Sequence, residues 1–162
     1  MADQLSVQFQ ELAKTSNEEE LRVLSLLLKG LKERKTQNGT YISKLLQLSS
    51  ELGENGLTMS MPITSLIHNN LGIVHGGVIA TLADTAMGTL ANTVLPEGKS
   101  AVTAEIQIHY LHPANGNSLI CKADFIHKGT KTMVLEGKVY LENGTLCAHS
   151  TATFFMIAAE PV

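Results

Sequence analysis

Residues 76 to about 94 limit what this chain can fold into more than any other stretch. Read as a helix, the segment carries small residues at Gly76, Gly77, Ala80, Ala83, Ala86, Gly88 and Ala91, with Val78, Ile79, Leu82, Met87 and Leu90 between them. A helix that is small and apolar nearly all round has no face for water and must be buried. Small side chains also let other backbones approach closely, as a sheet wrapped around the helix would need. Its only carboxylate is Asp84, flanked by Leu82, Ala83, Ala86 and Met87. A lone carboxylate in such company is costly unless it serves a purpose.

The stretch leading into this helix is polar and punctuated by glycine: Asn69-Asn70-Leu71-Gly72-Ile73-Val74-His75-Gly76-Gly77. The glycines fall where the helix should begin. The first N–H groups of a helix have no internal partner and carry the positive end of its dipole. Glycine there lets a ligand oxygen come close to the backbone. The stretch therefore reads as a polarising site for a carbonyl, with a base or nucleophile supplied from nearby.

Strand patterns flank the helix. Leu45 to Glu51 and Leu57 to Met61 are short candidates joined around Glu54-Asn55-Gly56, and Pro62 closes the second. Ala101 to Tyr110 alternates, which puts Val102, Ala104, Ile106, Ile108 and Tyr110 on one face and Thr103, Glu105, Gln107 and His109 on the other. Ser118 to His127, Thr132 to Glu142 and Thr145 to Ile157 complete the set, the last two joined by the tight turn Asn143-Gly144. Two strands, a buried helix and four strands describe an α+β fold, a curved antiparallel sheet around one helix.

Residues 1–38 differ in kind. Leu5, Phe9 and Leu12 share a helical face, Ser16 with Glu19 has capping-box spacing, and Leu21, Leu24, Leu28 and Leu31 form a second stripe. Such a helix pair would pack on the main domain or on another subunit. Asn38-Gly39 is a turn signal and the expected boundary between this extension and a domain over 39–162. The extension holds six acidic and six basic residues, and the chain of 162 carries a net charge of -3, so no nucleic-acid partner is expected. Leu21 to Leu31 is too short and too charged to span a bilayer, and the start shows no signal-peptide pattern, so the expected location is the cytoplasm. Cys121 and Cys147 lack ligand spacing and read as small buried residues. His109 and His112 point to opposite faces if their strand persists, so no metal is expected.

Asn69-x-x-Gly72-x-x-His75-Gly76-Gly77 with Leu82-Ala83-Asp84 and Tyr110-x-x-Pro113-Ala114 resembles the hot-dog-fold thioesterases, in particular the PaaI-like acyl-CoA thioesterases. The resemblance covers residues 40 to 158 and is silent on the N-terminal helices. It implies a hot-dog fold and hydrolysis of an acyl-CoA to free acid and CoA with no further cofactor. It also implies roles. The Gly77 N–H would bind the thioester carbonyl oxygen, with Gly76 beside the substrate. Asp84 would activate water or attack the carbonyl. Asn69 would position nucleophile and substrate, His75 would order the loop or contact the thioester region, and Thr103 would hold the water. Relatives often carry Arg near the CoA phosphates, where this chain has Lys128 and Lys131. Lysine meets phosphate only as a point charge. A non-catalytic acyl-CoA-binding or sensing module is the alternative, and Asp84 favours the enzyme. A hot-dog hydratase is a third reading, but its Asp-x-Asn-Pro-x-His type of motif is absent.

Spacing adds a constraint. Gly77 and Asp84 are seven residues apart, on the order of 10 Å at ~1.5 Å per residue. One helix cannot easily bring both to one thioester carbon. Two helices antiparallel across a two-fold axis can, which predicts a homodimer with shared sites. Pairing of dimers into a homotetramer stays open, as does the acyl group.

Overall fold

The computed structural model describes residues 1–159. They form two compact units, Met1–Gln47 with Thr64–Leu66, and Leu48–Ile63 with the chain from Ile67 on. In the first unit, α1 spans Ala2–Thr15, α2 Glu18–Thr36 and α3 Tyr41–Leu45. The capping box lies one residue later than its spacing suggested. Asn17 Oδ1 accepts from Glu20 N–H at 3.0 Å, and Glu20 returns the bond to Asn17 N–H at 2.8 Å. Ser16 is occupied elsewhere: its hydroxyl closes α1 by donating to Leu12 O at 2.8 Å.

The strand expected from Leu45 begins only at Ser49. Residues before it form α3, capped by Thr40, whose hydroxyl oxygen accepts from Ser43 N–H at 3.2 Å. Ile42, Leu45 and Leu46 have helical spacing, which the alternation reading overlooked. The turn at Asn38-Gly39 thus lies inside the first unit.

The second unit is built from β1 Ser49–Leu52, β2 Gly56–Pro62, α4 Gly76–Thr93, β3 Lys99–Tyr110, β4 Ser118–Lys128, β5 Thr132–Leu141 and β6 Leu146–Ala158. The six strands form one sheet in the order β1-β2-β4-β5-β6-β3. Every neighbouring pair is antiparallel. The helix lies against β2 through β6. Leu82, Ala83, Ala86 and Met87 are fully buried there. This is the expected curved sheet around one helix.

Close approach is engineered from both sides. On β5, Met133, Leu135, Val139 and Leu141 point inward, and Gly137 replaces a side chain where Met87 Sδ needs room. A Cβ at Gly137 would stand 2.8 Å from Ser150 Oγ and 3.4 Å from Met87 Sδ. Ser150 is the one buried polar residue of this core among the described residues, and its hydroxyl is satisfied by Gly137 O at 3.0 Å. Burial, with Asp124 nearby, pushes the Cys121 thiol up to about 12, so it is a small packing residue rather than a reactive one. On the outer face, Lys138 and His149 both reach Glu136, at 2.9 and 3.1 Å. Their hydrogen bonds hold the Glu136 carboxyl below its ordinary range.

The simple alternation drawn for β3 fails at one residue. Thr103 pairs with Phe154 and Glu105 with Thr153, so Ala104 is an extra residue in a β-bulge. From Ile106 the parity is reversed. Ile106, Ile108 and Tyr110 stand opposite inward-facing Ala152, Ser150 and Ala148, on the same face as Thr103. The face shared by Val102 and Tyr110 in the sequence reading does not exist, because the bulge rotates the strand between them.

No helix among the described residues is long and apolar enough to cross a membrane. Gly137→Ala should lower stability by roughly 1–3 kcal/mol through overpacking. Adding Ser150→Ala removes the clashing oxygen. The double variant should then be less destabilised in urea melts than the sum of the singles.

Candidate active site

The loop before α4 is held closed by its own backbone and by one side chain. Asn69 N–H donates to Ile73 O at 2.8 Å, and Gly72 N–H to Asn69 O at 3.0 Å. Gly72 adopts φ +71°, a left-handed conformation that glycine takes without strain. Asn69 Oδ1 accepts from Leu71 N–H at 2.9 Å. The carboxamide oxygen of Asn69 is therefore spent on its own loop, and its NH2 group is what can still donate. Val74 N–H reaches Ala114 O at 3.0 Å and His75 N–H reaches Ile67 O at 2.8 Å, which ties the loop to its surroundings.

His75 caps α4, a task usually given to Ser, Thr, Asp or Asn. Its Nδ1 accepts from Gly77 N–H at 2.9 Å, so Nδ1 carries no proton in this arrangement. Val78 N–H and Ile79 N–H go to His75 O at 2.9 and 3.2 Å. Gly77 therefore does not offer the free amide expected of it, because the cap has taken its donor. The first N–H of the helix belongs to Gly76, and among the described residues it makes no hydrogen bond. Gly76 lines a cavity of about 330 Å³ together with Asn69, Tyr110 and Leu111. The amide left open at the start of α4 is that of Gly76, one residue before the Gly77 amide that the resemblance assigns to the carbonyl oxygen.

Asp84 stands two turns further along α4 and is half-buried rather than sealed in. Thr103 Oγ1 donates to Asp84 Oδ1 at 2.7 Å. The bulge makes this bond possible by keeping Thr103 on the helix side of β3 while the rest of the strand changes parity. Asp84 and Thr103 line a second cavity, of about 510 Å³, with Thr85, Gly88, Thr89 and Phe154. The two cavities share no residue. Within one protomer, the amide and the carboxylate thus open on different spaces. Eight residues separate Gly76 from Asp84, about 12 Å of helix.

Tyr110 is the group the sequence reading left without a task. Its hydroxyl donates to Gly76 O at 2.9 Å. A Cβ on Gly76 would meet the Tyr110 ring at 3.3 Å, so the glycine and the tyrosine fit one another. Only the bulge, which the sequence does not announce, turns Tyr110 to that side. Lys128 lies apart from both cavities: its ammonium sits 4.0 Å from the centre of the Phe125 ring and lines a third cavity with Glu54 and Val94. Lys131 is exposed on the same β4–β5 turn. Neither lysine is brought to Gly76 or Asp84. Among the described residues no three His, Cys, Asp or Glu side chains are grouped to hold a metal ion.

Comparison with known proteins bears on this geometry. The sequence pattern of the Thioesterase superfamily matches residues 71–148. A putative esterase of Haemophilus influenzae is 31% identical over 109 residues, which is 67% of this chain and 78% of that protein. The 1,4-dihydroxy-2-naphthoyl-CoA hydrolase of Escherichia coli is 29% identical over 105 residues, covering 63% of this chain and 75% of that one. Among solved structures, a Bacillus halodurans protein crystallised with CoA superposes with a TM-score of 0.84 at 42% identity, over 90% of this chain and 98% of that one.

The cap can be tested apart from any chemistry. His75→Ala should cost about 1 kcal/mol of stability, as loss of an N-cap does. His75→Asn, which restores a capping oxygen, should recover most of it. Equal losses in urea denaturation for the two variants would show that the cap is not what His75 contributes.

Proposed function

Because the chain belongs to the thioesterase superfamily and is a thioester hydrolase of hot-dog fold, we propose that it cleaves acyl-CoA at sites built from two protomers. The observation that carries this reading is the separation of Gly76 from Asp84 into two cavities of one chain. A thioester carbon must lie close to both an oxyanion donor and the attacking group. The β3 edge supplies the means of meeting both needs. It is a twelve-residue strand at the rim of the sheet, largely exposed, and such an edge is a template for pairing. Two β3 strands meeting antiparallel across a two-fold axis would set the α4 helices side by side in opposite directions. Gly76 of one protomer would then face the partner's Asp84.

In that site the thioester oxygen accepts from Gly76 N–H at the positive end of α4. The NH2 of Asn69 donates beside it. The partner's Asp84, steadied by its Thr103, takes the proton of a water that attacks the carbonyl, or attacks the carbonyl itself. When water attacks, the tetrahedral intermediate collapses with loss of the CoA thiolate, which takes up the proton held by Asp84, and the acid leaves. When Asp84 attacks, the same collapse leaves an acyl–Asp84 anhydride, which water hydrolyses to release the acid and restore the carboxylate. Lys131, and Lys128 once released from Phe125, are assigned to the CoA phosphates as point charges. The chemistry needs no cofactor beyond the substrate. The free thiols of Cys121 and Cys147 suit a reducing, cytoplasmic setting.

Thiol release from a panel of acyl-CoAs measures the activity directly. Asp84→Asn should reduce kcat by at least about a hundredfold with the fold intact. A variant as fast as the wild type would remove Asp84 from the mechanism. Shared sites make a second prediction. Gly76→Val places a side chain against the Tyr110 ring and should be inactive. Refolding it 1:1 with inactive Asp84→Ala should restore about a quarter of wild-type activity, since half the dimers are mixed and each holds one intact site. No recovery would mean that each protomer works alone.

A further inference from the structure

We propose that Tyr110 is a positioning residue for the reaction, fixing the direction of the Gly76 N–H by clamping the next peptide unit. The proposal rests on the reading of Gly76 as the oxyanion donor.

The peptide between Gly76 and Gly77 is held at both ends. Its carbonyl, Gly76 O, accepts from Tyr110 Oη at 2.9 Å. Its N–H, on Gly77, donates to His75 Nδ1 at 2.9 Å. The preceding peptide, which carries the Gly76 N–H, has its carbonyl pinned by Val78 and Ile79 at 2.9 and 3.2 Å. Fixing both peptide planes leaves Gly76 no freedom about its Cα, and its N–H points in one direction.

The clamp answers a specific weakness. Two successive glycines at the start of a helix have more conformational freedom to lose than any other pair, so this turn would fray if left alone. A Cβ at Gly76 would stand 3.3 to 3.5 Å from Tyr110 Cζ, Cε1 and Oη, so a side chain there would press on the ring that makes this hydrogen bond. The glycine gives the tyrosine room, and the tyrosine supplies the rigidity that the glycine lacks. An amide stabilises an oxyanion only when aimed before the charge develops. Its precision should therefore appear in kcat rather than in substrate affinity.

Tyr110 is 54% exposed. A single neutral hydrogen bond adds little net stability, because folding trades it against bonds to water. A loss of activity without a loss of stability would therefore separate aiming from folding.

The test is Tyr110→Phe, which removes only the hydroxyl. It should lower kcat on the order of tenfold, less than the hundredfold or more that loss of a donor itself costs. KM and the urea midpoint should stay within error of wild type. Tyr140→Phe, on the outer face of the sheet against Lys122, serves as the control and should leave kcat unchanged. His75→Ala releases the other end of the same peptide, so the double variant with Tyr110→Phe should lose less than the product of the two single effects. An unchanged kcat, or a rise in KM alone, would overturn the proposal, the latter by making Tyr110 a direct substrate contact. Fully independent effects in the double variant would also overturn it. Asp84→Asn run in parallel keeps the two readings apart: if it too is fully active, the site itself is misassigned, whereas its loss alone counts against the clamp.

Discussion

A helix that is apolar round most of its surface needs a sheet to enclose it, and much of the second unit follows from enclosing the buried side of α4. Its small residues bring the sheet close, and β5 gives way with Gly137 so that Met87 can seat. Close packing of this kind tolerates few added atoms. Thr81, Asp84, Thr85, Thr89 and Asn92 lie on the side of α4 that the sheet leaves partly open. Side chains from outside the helix bond to its polar groups, among them His75 to Gly77 N–H and Thr103 to Asp84.

That support comes largely from one strand. β3 places two hydroxyls on α4 two turns apart, Thr103 on Asp84 and Tyr110 on Gly76. Seven positions separate them, an odd number, so a regular strand would send them to opposite faces. The bulge at Ala104 adds the residue that brings them to the same face. Bulges are common where a strand must re-aim a side chain, and this one brings to the helix side two hydroxyls that a flat strand would have split between the faces of the sheet.

The same strand is the open rim of the sheet. In the proposed dimer, pairing of two β3 strands would cover that exposed backbone, and the same symmetry operation would bring a carboxylate to each amide. A hot-dog thioesterase of this design would thus couple assembly to activity without any residue dedicated to either alone.

Periodicity and composition were enough to determine the buried helix, the strand sequence around it and the hairpin at Asn143-Gly144, because burial and turn chemistry are local properties of residue type. Asp84 and the glycine pair were legible for the same reason: a carboxylate and a flexible helix start are conspicuous in an apolar segment. The choice between Gly76 and Gly77 was not legible, since it depends on where the His75 ring turns. Nor was the helix over Tyr41–Leu45, where a short apolar run fits either period. The common face of Thr103 and Tyr110 is decided by an extra residue that leaves no mark in the sequence, because a bulge arises from how two strands pair and not from the strand itself. Tertiary structure therefore decided which amide is left open at the start of α4 and which hydroxyls bond to that helix, while the sequence alone had already placed a glycine pair and a carboxylate on it.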